Sequence, residues 1–507
     1  MATQALSSKT IRGRRLSTGI TGLDEILEGG LSAGYLYLVQ GDPGTGKTTM
    51  AMQFLLDGLS LGETVLYVTL SETAKELREV AATHGWSLDG IHIRELTPRE
   101  EILGPESQYT VFHPAEIELA DTTKAILEFV DQISPQRVVI DSLSELRMLA
   151  RDPLRYRREI LWIKEFFFKR KTTVLMLDDK TADWKDQQLQ SIAHGVISFE
   201  TFSREYGSKR RRLEIVKMRG SRFRDGYHDY AIKTGGVEVY ARVSGNYQDE
   251  DVVISNERVL SGISELDQLL GGGLHRGTST LITGPAGSGK STLVTQYACT
   301  TAARGGRAAL YIFDESIQTL KTRSSGLGME LDPFLENGSV SIRHVNPAEL
   351  SPGEFASYVR SAAEEKVDLV VIDSLNGYYN SMPGEDFLSL HMHELLSFLN
   401  QSGVTTLMVL AQHGFVGQQM LTPVDVSYLA DTVCLLRFFE AEGQVKQAIS
   451  VLKNRSGNHE RTIREFKMNG TIRVGKPLAE FSGVLSGVPV YTGKGKLLHG
   501  SRSGDNS

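Results

Sequence analysis

The chain repeats itself at the scale of a whole domain, and this repeat restricts its fold more than any other feature. The stretch LSTGITGLDEILEGGLSAGYLYLVQGDPGTGKTT at 16–49 matches VLSGISELDQLLGGGLHRGTSTLITGPAGSGKST at 259–292 without a gap. Further pairs of blocks follow in the same order: RVVIDSLSEL at 137–146 with DLVVIDSLNG at 368–377, and LEIVKMRGS at 213–221 with AISVLKNRSG at 448–457. So many ordered matches indicate a tandem duplication, in which each copy forms a domain with its own core.

The repeat also predicts where the domains begin and end. The stretch VSGNYQDEDVVISNER between the copies is polar and acidic with little apolar periodicity, as expected of a linker. The last residues are rich in Gly and Ser, which predicts a flexible end. We therefore predict an N-terminal extension over 1–15, a first domain over 16–245, a linker over 246–258, a second domain over 259–485 and a flexible tail over 486–507.

Within each copy, short apolar runs rich in strand-forming residues alternate with stretches of helical character. The runs are YLYLVQ, TVLYVTL, RVVIDS and TTVLMLDD in the first copy, and TSTLITG, AALYIFD, LVVIDS and TTLMVLA in the second. Continuous apolarity is typical of strands buried on both faces, and strands separated by helices need crossover connections. The sequence therefore predicts an α/β fold, with a mostly parallel sheet flanked by helices in each copy.

Composition limits the classes of protein to which the chain can belong. No apolar run is long enough to span a bilayer, and the start MATQALSSKTIRGRRL lacks the apolar core of a secretory signal. The two cysteines, Cys299 and Cys434, indicate neither a disulfide framework nor a metal site. A net charge of −7 argues against bulk binding of nucleic acid. We expect a cytoplasmic protein without a membrane or nucleic-acid partner.

Each copy contains the pattern G-x-x-x-x-G-K-[ST] between an apolar strand and a helix-like segment. Glycines let the backbone wrap closely around a phosphate, and the amides at the following helix N-terminus then face the anion. Lys47 and Lys290 would neutralise the β- and γ-phosphates of ATP, and the next residue of each loop would place a hydroxyl on Mg²⁺. The alternative, a fortuitous glycine-rich turn, is disfavoured because both copies occur in the required context. The predicted nucleotide-binding residues are Gly41, Asp42, Pro43, Gly44, Thr45, Gly46, Lys47, Thr48 and Thr49 in the first copy, and Gly284, Pro285, Ala286, Gly287, Ser288, Gly289, Lys290, Ser291 and Thr292 in the second.

Acidic residues follow two further apolar strands in each copy. Asp141 and Asp373 end the runs RVVID and LVVID, where a carboxylate can join Thr48 or Ser291 in holding the water shell of Mg²⁺. Glu72 and Glu315 follow a second strand, where they can polarise water or accept a hydroxyl proton in line with the γ-phosphate. Asp314 precedes Glu315, so the candidate catalytic acids are Glu72, Asp314 and Glu315. The alternative for each acid is a cap on the next helix.

Two basic pairs lie at the ends of late strands, Lys217 and Arg219 in VKMRGS, and Lys453 and Arg455 in LKNRSG. Basic residues that face away from their own loop can reach the nucleotide of a neighbouring subunit, as an arginine finger does. One alternative is a solvated basic strand end. A second is contact with nucleic-acid phosphates by the dense basic run KRRRLEIVKMRGSRFR at 209–224.

At these residues both copies resemble the RecA-like P-loop ATPases. The tandem arrangement, the segments GLDEILEGGL and ELDQLLGGGLHRG before the loops, and VKMRGS resemble more specifically the KaiC family of circadian-clock ATPases and autokinases, over residues 14–485. The resemblance implies two RecA-like domains in a homohexameric double ring, with ATP and Mg²⁺ held between adjacent subunits. It implies slow ATP hydrolysis in the first ring, and autophosphorylation and autodephosphorylation in the second. Kai-type or other signalling proteins are the partners that it implies.

The phosphorylated Ser-Thr pair of the family lies in a stretch that corresponds to VDVSYLADTVCLL at 424–436. Ser427 stands at the serine position, Tyr428 at the threonine position, and Thr422 where a nearby threonine occurs in clock members. A tyrosine hydroxyl lies much further from its backbone than a threonine hydroxyl, so it cannot reach the same γ-phosphate without moving the chain. We predict phosphorylation at the single site Ser427, with Tyr428 and Thr422 as weaker candidates.

Clock members carry paired glutamates after the second strand of each domain. Here the second copy keeps an acidic pair, Asp314 and Glu315, but Ser71 replaces the first acid of the first copy. These departures, together with the tyrosine at 428, predict a family member that has diverged from the clock proteins or acts outside the clock.

Two other functions share this core. A RecA/RadA-like DNA-dependent ATPase would use the basic run, although the acidic net charge and the absence of a four-cysteine zinc ribbon argue against it. A nucleotide-sensing scaffold that docks partner proteins in its ATP-bound state needs no catalysis, and the acidic pair of the second copy argues against that function.

Overall fold

The computed structural model divides into two units, and the division falls between Arg242 and Val243, close to the predicted linker. Each unit contains one copy of the sequence repeat. The structure describes residues 14–96, 114–150, 152–180, 187–203, 207–243, 257–346, 348–380, 387–412, 428–485 and 489–493.

The first unit alternates strands and helices and then ends in strands alone. Its strands are β1 (Arg15–Leu16), β2 (Leu31–Ser32), β3 (Leu36–Gly41), β4 (Val65–Thr69), β5 (His92–Glu95), β6 (Arg137–Asp141), β7 (Thr173–Asp179), β8 (Gly195–Phe202), β9 (Arg210–Met218), β10 (His228–Lys233) and β11 (Gly236–Tyr240). Its helices are α1 (Thr21–Ile26), α2 (Lys47–Ser60), α3 (Ala74–Thr83), α4 (Pro114–Ile133), α5 (Leu143–Ala150), α6 (Pro153–Arg170) and α7 (Gln187–Ile192).

The second unit repeats this arrangement. Its strands are β12 (Arg258–Val259), β13 (Leu274–His275), β14 (Ser279–Pro285), β15 (Ala308–Ile312), β16 (Val340–His344), β17 (Leu369–Asp373), β18 (Thr405–Gln412), β19 (Thr432–Ala441), β20 (Gln444–Asn454), β21 (Arg464–Asn469), β22 (Thr471–Pro477), β23 (Phe481–Ser482) and β24 (Val490–Tyr491). Its helices are α8 (Ser264–Leu269), α9 (Lys290–Ala303), α10 (Ile317–Gly326), α11 (Asp332–Glu336), α12 (Pro352–Glu364), α13 (Leu375–Asn380) and α14 (Leu388–Gln401). Strand β24 lies within the stretch predicted as a flexible tail and pairs with β23, where the Tyr491 ring packs 5.4 Å from that of Phe481.

Among the described residues, each unit is built on one nine-stranded sheet. The order is β11-β10-β9-β8-β3-β7-β6-β4-β5 in the first unit and β16-β15-β17-β18-β14-β19-β20-β21-β22 in the second. In the first sheet the six strands β8, β3, β7, β6, β4 and β5 run parallel, and in the second the six strands β16, β15, β17, β18, β14 and β19 do so. Each of the three remaining strands of a sheet runs antiparallel to the strand before it in sequence. The predicted α/β fold, with a mostly parallel sheet flanked by helices in each copy, is therefore confirmed.

The residues of the central strands point alternately into two apolar layers. In β3, Tyr37 and Val39 belong to one buried cluster, and Leu36 and Leu38 belong to the cluster on the other face. Burial on both faces explains why these strands have continuous apolar sequences rather than alternating ones. None of the described helices is both long and apolar enough to cross a membrane.

The sheet order places the loops beside the strands that end in acids. Strands β3 and β14 are the fifth of nine strands in their sheets, and a glycine-rich loop follows each of them. Gly41 at the end of β3 pairs with Asp179 at the end of β7, and Thr69 at the end of β4 pairs with Asp141 at the end of β6. Because the strands are parallel, their C-terminal ends form one edge, where ligands of open α/β sheets bind.

A fully buried, ion-paired arginine at the start of β6 has no counterpart at the start of β17. Arg137 at the start of β6 is 0% exposed, and its Nε donates to Oε2 of Glu63 at 2.5 Å. Its Nη1 donates to Oδ2 of Asp57 at 3.0 Å and to the Phe54 carbonyl at 2.8 Å. Leu369 stands at the corresponding position of β17. Buried charge therefore ties β6 to α2 in the first unit, and the described residues of the second unit show no such pair between β17 and α9.

We expect Arg137→Ala to lower the free energy of unfolding of the first unit by about 3–5 kcal/mol, because it removes the buried cation that binds Oε2 of Glu63 and leaves that carboxylate only the exposed Arg14, 2.7 Å from Oε1. Urea unfolding followed by tryptophan fluorescence measures this loss selectively, since Trp86, Trp162 and Trp184 all lie in the first unit.

The matched control is the double variant Arg137→Leu/Glu63→Gln, which copies the leucine of the second unit and removes the buried carboxylate charge together with its cation. It should lose clearly less stability than Arg137→Ala. A loss below about 1 kcal/mol in Arg137→Ala would show that the ion pair is not needed for stability.

Candidate nucleotide-binding sites

The first glycine-rich loop joins the end of β3 to the start of α2. Gly44 and Gly46 have φ of +80° and +93°, in the left-handed region that glycine adopts most readily. Gly46 is the residue before α2, so the free amides of the first helical turn point toward the loop. The predicted loop residues 41–49 therefore have a backbone suited to an anion.

The Lys47 side chain is buried, and its ammonium group faces three oxygen atoms. Nζ donates to the carbonyl oxygens of Gly41 at 2.8 Å and of Asp42 at 3.1 Å. It also lies 2.7 Å from Oδ1 of Asp179, the last residue of β7. The loop and a neighbouring strand together hold this cation at the C-terminal edge of the sheet.

The predicted metal residues of the first unit, Thr48 and Asp141, are in contact. Thr48 Oγ1 donates to Oδ2 of Asp141 at 3.0 Å, and the Tyr67 hydroxyl donates to the same oxygen at 2.6 Å. Burial raises the pKa of Asp141, and these hydrogen bonds oppose the shift. Hydroxyl and carboxylate oxygens fit Mg²⁺, which commonly takes one or two protein ligands beside phosphates and water. Among the described residues, no group of three His, Cys, Asp or Glu side chains is arranged to hold a metal ion.

Glu72, the predicted catalytic acid of the first unit, has a fixed backbone and a buried side-chain oxygen. The Thr69 hydroxyl donates to the Glu72 carbonyl at 2.7 Å and accepts from its N–H at 3.0 Å. Oε2 is buried and has no hydrogen-bond partner in the described part of the chain. Burial raises the pKa of Glu72, and the negative charge of Asp141 raises it further. A carboxylate with a raised pKa is a stronger proton acceptor than an ordinary glutamate.

The second loop repeats this geometry between β14 and α9. Gly289, the residue before α9, has φ of +96°, and Nζ of the buried Lys290 donates to the Pro285 carbonyl at 2.7 Å. Burial lowers the pKa of Lys290 to about 8, although the negative charge of Asp373 opposes the shift. Burial also raises the pKa of Asp373 to about 6, against a hydrogen bond from Ser291. The predicted metal pair is therefore in contact in this unit too.

The acids of the second unit have partners that Glu72 does not have. Oδ2 of Asp314 accepts from Oγ of Ser374 at 2.5 Å, and Oε2 of Glu315 accepts from Nη1 of Arg323 at 2.7 Å. Arg323 lies on α10, and the first unit has Val80 at the same position of α3. The two predicted catalytic glutamates therefore differ in their hydrogen-bond partners and in charge environment.

The predicted basic pairs lie at the edge of each sheet opposite its own loop. Arg219 N–H donates to the carbonyl of His194, whose own N–H donates to Leu36 at the start of β3. Leu36 lies roughly 17 Å from Gly41 along β3, at about 3.3 Å per residue. Arg219 is therefore near the end of the sheet opposite the loop. In the second unit, Lys453 pairs with Val433, which pairs with Leu281 near the start of β14. Neither pair lies at the edge where its own loop is found.

The basic side chains are held by backbone carbonyls. Lys217 donates to the Gln190 carbonyl and Arg219 to the Ser191 carbonyl at 2.7 Å, both in the last turn of α7. Lys453 donates to the Ala430 carbonyl at 2.6 Å, and the backbone N–H of Arg455 donates to Asp431 at 2.9 Å. These contacts fix the side-chain cations of Lys217, Arg219 and Lys453, and the backbone of Arg455.

Part of the basic run at 209–224 is used within the first unit. Arg212 Nε lies 2.9 Å from Oε2 of Glu200, and Nη2 of Arg224 lies 2.9 Å from Oε1 of Glu25. These ion pairs reduce the positive charge that the run could offer to nucleic-acid phosphates.

The predicted phosphoacceptors Ser427 and Thr422 lie outside the described residues. Tyr428 is described, and its side chain is 52% exposed. It precedes β19 and lies two residues before Ala430, whose carbonyl binds Lys453. Tyr428 therefore lies close in sequence to a carbonyl that binds the basic pair of the second unit.

The sequence patterns did not identify three side chains of these sites. Asp179 and Tyr67 contact Lys47 and Asp141 in the first unit, and Arg323 contacts Glu315 in the second. Asp179 could have been found, because it ends the apolar run TTVLMLDD at the loop edge of the sheet. Tyr67 and Arg323 lie within a strand and a helix, where nothing in the local sequence marks a functional role.

Comparison with known proteins agrees with this geometry. A family model described as ATPase: KaiC matches residues 16–244 and, a second time, residues 259–478. The chain belongs to the KaiC family. The KaiC-family match covers both units, which confirms the tandem RecA-like domains.

Relatives from cyanobacteria match nearly the whole chain. The chain is 26% identical to circadian clock protein KaiC3 of Synechocystis sp., over 95% of this chain and 96% of the relative. It is 27% identical to circadian clock oscillator protein KaiC of Acaryochloris marina, over 94% and 91%. It is 28% identical to circadian clock protein KaiC2 of Synechocystis sp., over 98% and 85%. The protein is thus a divergent KaiC homologue with the domains of a KaiC-like ATPase.

Nucleotide binding at the second loop should weaken as the pH rises above about 8. Lys290 carries its charge below its pKa of about 8 and loses it above, whereas a bound phosphate needs the ammonium form. Binding above this pH takes up a proton, so the Kd for ADP should rise by up to about tenfold per pH unit. Calorimetric titration of the full-length Lys47→Ala variant between pH 7 and pH 9 measures this dependence.

The control is Lys290→Arg in the same background, because arginine keeps its charge over this range. Its Kd should stay within about twofold between the two pH values. An equally flat profile with the native lysine would contradict the lowered pKa.

Proposed function

We propose that the protein is a homohexameric ATPase of the cytoplasm, with hydrolysis in the first domain and serine autokinase activity in the second. The position of the basic pairs is the observation that carries this proposal. Each pair lies at the sheet edge opposite its own loop, so a loop and a basic pair meet only when two subunits adjoin. The ring of the KaiC relatives is the arrangement in which every subunit meets two neighbours in this way.

In the first domain, the contacts described above support hydrolysis of ATP. Lys47 and the loop amides bind the phosphates, and Thr48 and Asp141 would hold Mg²⁺, which neutralises the charge that develops on the β- and γ-phosphates. The attacking water would lose its proton to Oε2 of Glu72, which is buried and free to accept it. Lys217 and Arg219 of the adjacent subunit would stabilise the transferred charge.

In the second domain, the same machinery would transfer the γ-phosphate to a side chain. The Ser427 hydroxyl would attack the phosphorus, Glu315 would take the hydroxyl proton, and ADP would leave. Ser374 would hold Asp314 in place, and Arg323 would hold Glu315 and balance its negative charge. Ser427 lies three residues before Ala430, whose carbonyl binds Lys453, so the Ser427 of one subunit would meet the nucleotide of its neighbour.

The residues also support a role outside the oscillator, or one that has diverged from it. Tyr428 replaces the second acceptor, so the two-step cycle of the clock proteins is replaced by one phosphorylation.

Cys299 and Cys434 are buried and free, as expected of a protein from a reducing compartment. Kai-type or other signalling proteins remain the predicted partners.

Glu315→Gln should abolish phosphorylation of Ser427, because glutamine cannot accept the hydroxyl proton. Phosphopeptide mapping by mass spectrometry after incubation with ATP measures the product. Glu72→Gln is the matched control: it should lower ATP hydrolysis at least about tenfold while Ser427 remains phosphorylated. An unmodified Ser427 in the native protein with ATP bound would contradict the kinase proposal.

Subunit mixing tests whether each site is completed in trans. Lys290→Ala and Arg455→Ala should each lose second-domain phosphorylation when assembled alone. Random co-assembly in equal amounts should restore roughly a quarter of the sites, where an intact loop meets an intact Arg455 on its neighbour. The double variant mixed with itself is the control, and failure of the mixture to exceed it would contradict transfer between subunits.

A further inference from the structure

The two phosphate loops differ in what binds the loop lysine. Lys47 contacts two carbonyl oxygens and the Asp179 carboxylate, whose Oδ1 lies 2.7 Å from Nζ. Lys290 donates to the carbonyl of Pro285 and has no carboxylate within ion-pair distance among the described residues. The charged contact therefore occurs in the first unit only.

The sheet register explains this difference. Gly41 pairs with Asp179 at the end of β7, whereas its counterpart Gly284 pairs with Ala411 in β18. Both hydrogen bonds of the Asn376 amide, at 2.6 Å and 3.0 Å, go to the backbone of Ala411. A carboxylate at the loop edge of the first sheet thus corresponds to a methyl group in the second.

Asp179 lies between the elements that face the terminal phosphates. Strand β7 stands between β3, which leads into the loop, and β6, which ends in the metal-site residue Asp141. The loop lysine serves the β- and γ-phosphates. A fixed carboxylate beside its ammonium group competes with those phosphates for the cation and repels them.

The repulsion grows with the charge of the bound nucleotide. A triphosphate brings one more anionic group than a diphosphate, and the loop lysine that Asp179 contacts serves that γ-phosphate as well as the β-phosphate. Asp179 therefore disfavours the triphosphate more than the diphosphate at the first loop. The second loop, with Ala411 at this position, has no such penalty.

We propose that Asp179 is a specificity-determining residue, which lowers the preference of the first site for nucleoside triphosphate over diphosphate. Because it acts on nucleotide bound at the first loop, this role rests on the function proposed above. It makes the first site retain the product of hydrolysis more readily than the second site does.

The test is the affinity ratio of the first site for AMP-PNP and ADP, with Mg²⁺ present. Full-length protein with Lys290→Ala confines binding to the first loop, and calorimetry gives both Kd values. Asp179→Asn keeps the shape of the side chain and removes its charge, and Asp179→Ala copies the second unit. Both should raise the ratio in favour of AMP-PNP about tenfold, the effect of one charged hydrogen bond.

Two further variants serve as matched controls. Asp178→Asn removes the same charge one residue away, where the carboxylate binds Nη2 of Arg147 at 2.7 Å and not Lys47. Its ratio should stay within about twofold of the parent. Ala411→Asp, in a Lys47→Ala background, installs the carboxylate in the second site and should lower the ratio there.

Each outcome bears on one claim. An unchanged ratio in Asp179→Asn, with both nucleotides bound, overturns the role of Asp179 and leaves the proposed function intact. An equal shift in Asp178→Asn overturns it too, since net charge would then be the cause. A tenfold loss of hydrolysis with an unchanged ratio would assign Asp179 to the chemical step instead. Absence of nucleotide binding in the parent protein would overturn the proposed function itself.

Discussion

Both sites depend on the parallel pairing that runs from the central strand through one neighbouring strand to the strand that ends in the metal-site aspartate. This pairing brings the end of β3 level with the ends of β7 and β6, so that Lys47, Asp179 and Asp141 meet at one edge. The same register in the second unit brings Lys290 to Asp373. The buried layers on both faces fix this register, because a slip by one residue would turn each apolar side chain to the wrong face. Stability and site geometry are therefore set by the same set of strand contacts.

The two units share a topology but differ in the charges placed on it. The first unit has a buried arginine at the start of β6, a carboxylate against its loop lysine and a glutamate with a raised pKa. The second unit has Leu369 in place of the buried arginine and Ala411 in place of the carboxylate beside the loop lysine, and its glutamate is paired with Arg323. Duplication preserved the backbone that binds phosphate, and substitutions around it gave each copy its own electrostatics.

Much of the fold and of the sites could be predicted from the sequence, because strand ends follow from where apolar runs stop. The loops, Thr48 with Asp141, and the position of the basic pairs all follow from such boundaries. Side chains that reach the site from within an element could not be predicted. Tyr67 lies inside a strand and Arg323 inside a helix, and their contacts depend on the packing of elements that are distant in sequence. Asp179 carried a visible signal, but only the sheet order shows that its neighbour is the loop strand.

The antiparallel turn from β8 to β9 has a consequence for how activity depends on the amount of protein. It carries Arg219 away from the Gly41 edge, so under the proposed function one folded chain would hold the parts of a site without being able to join them. Folding alone would then leave the protein inactive, and mass action would govern how many sites are complete. Specific activity would rise steeply with subunit concentration and fall on dilution, which makes the cellular abundance of the chain a control on its own catalysis.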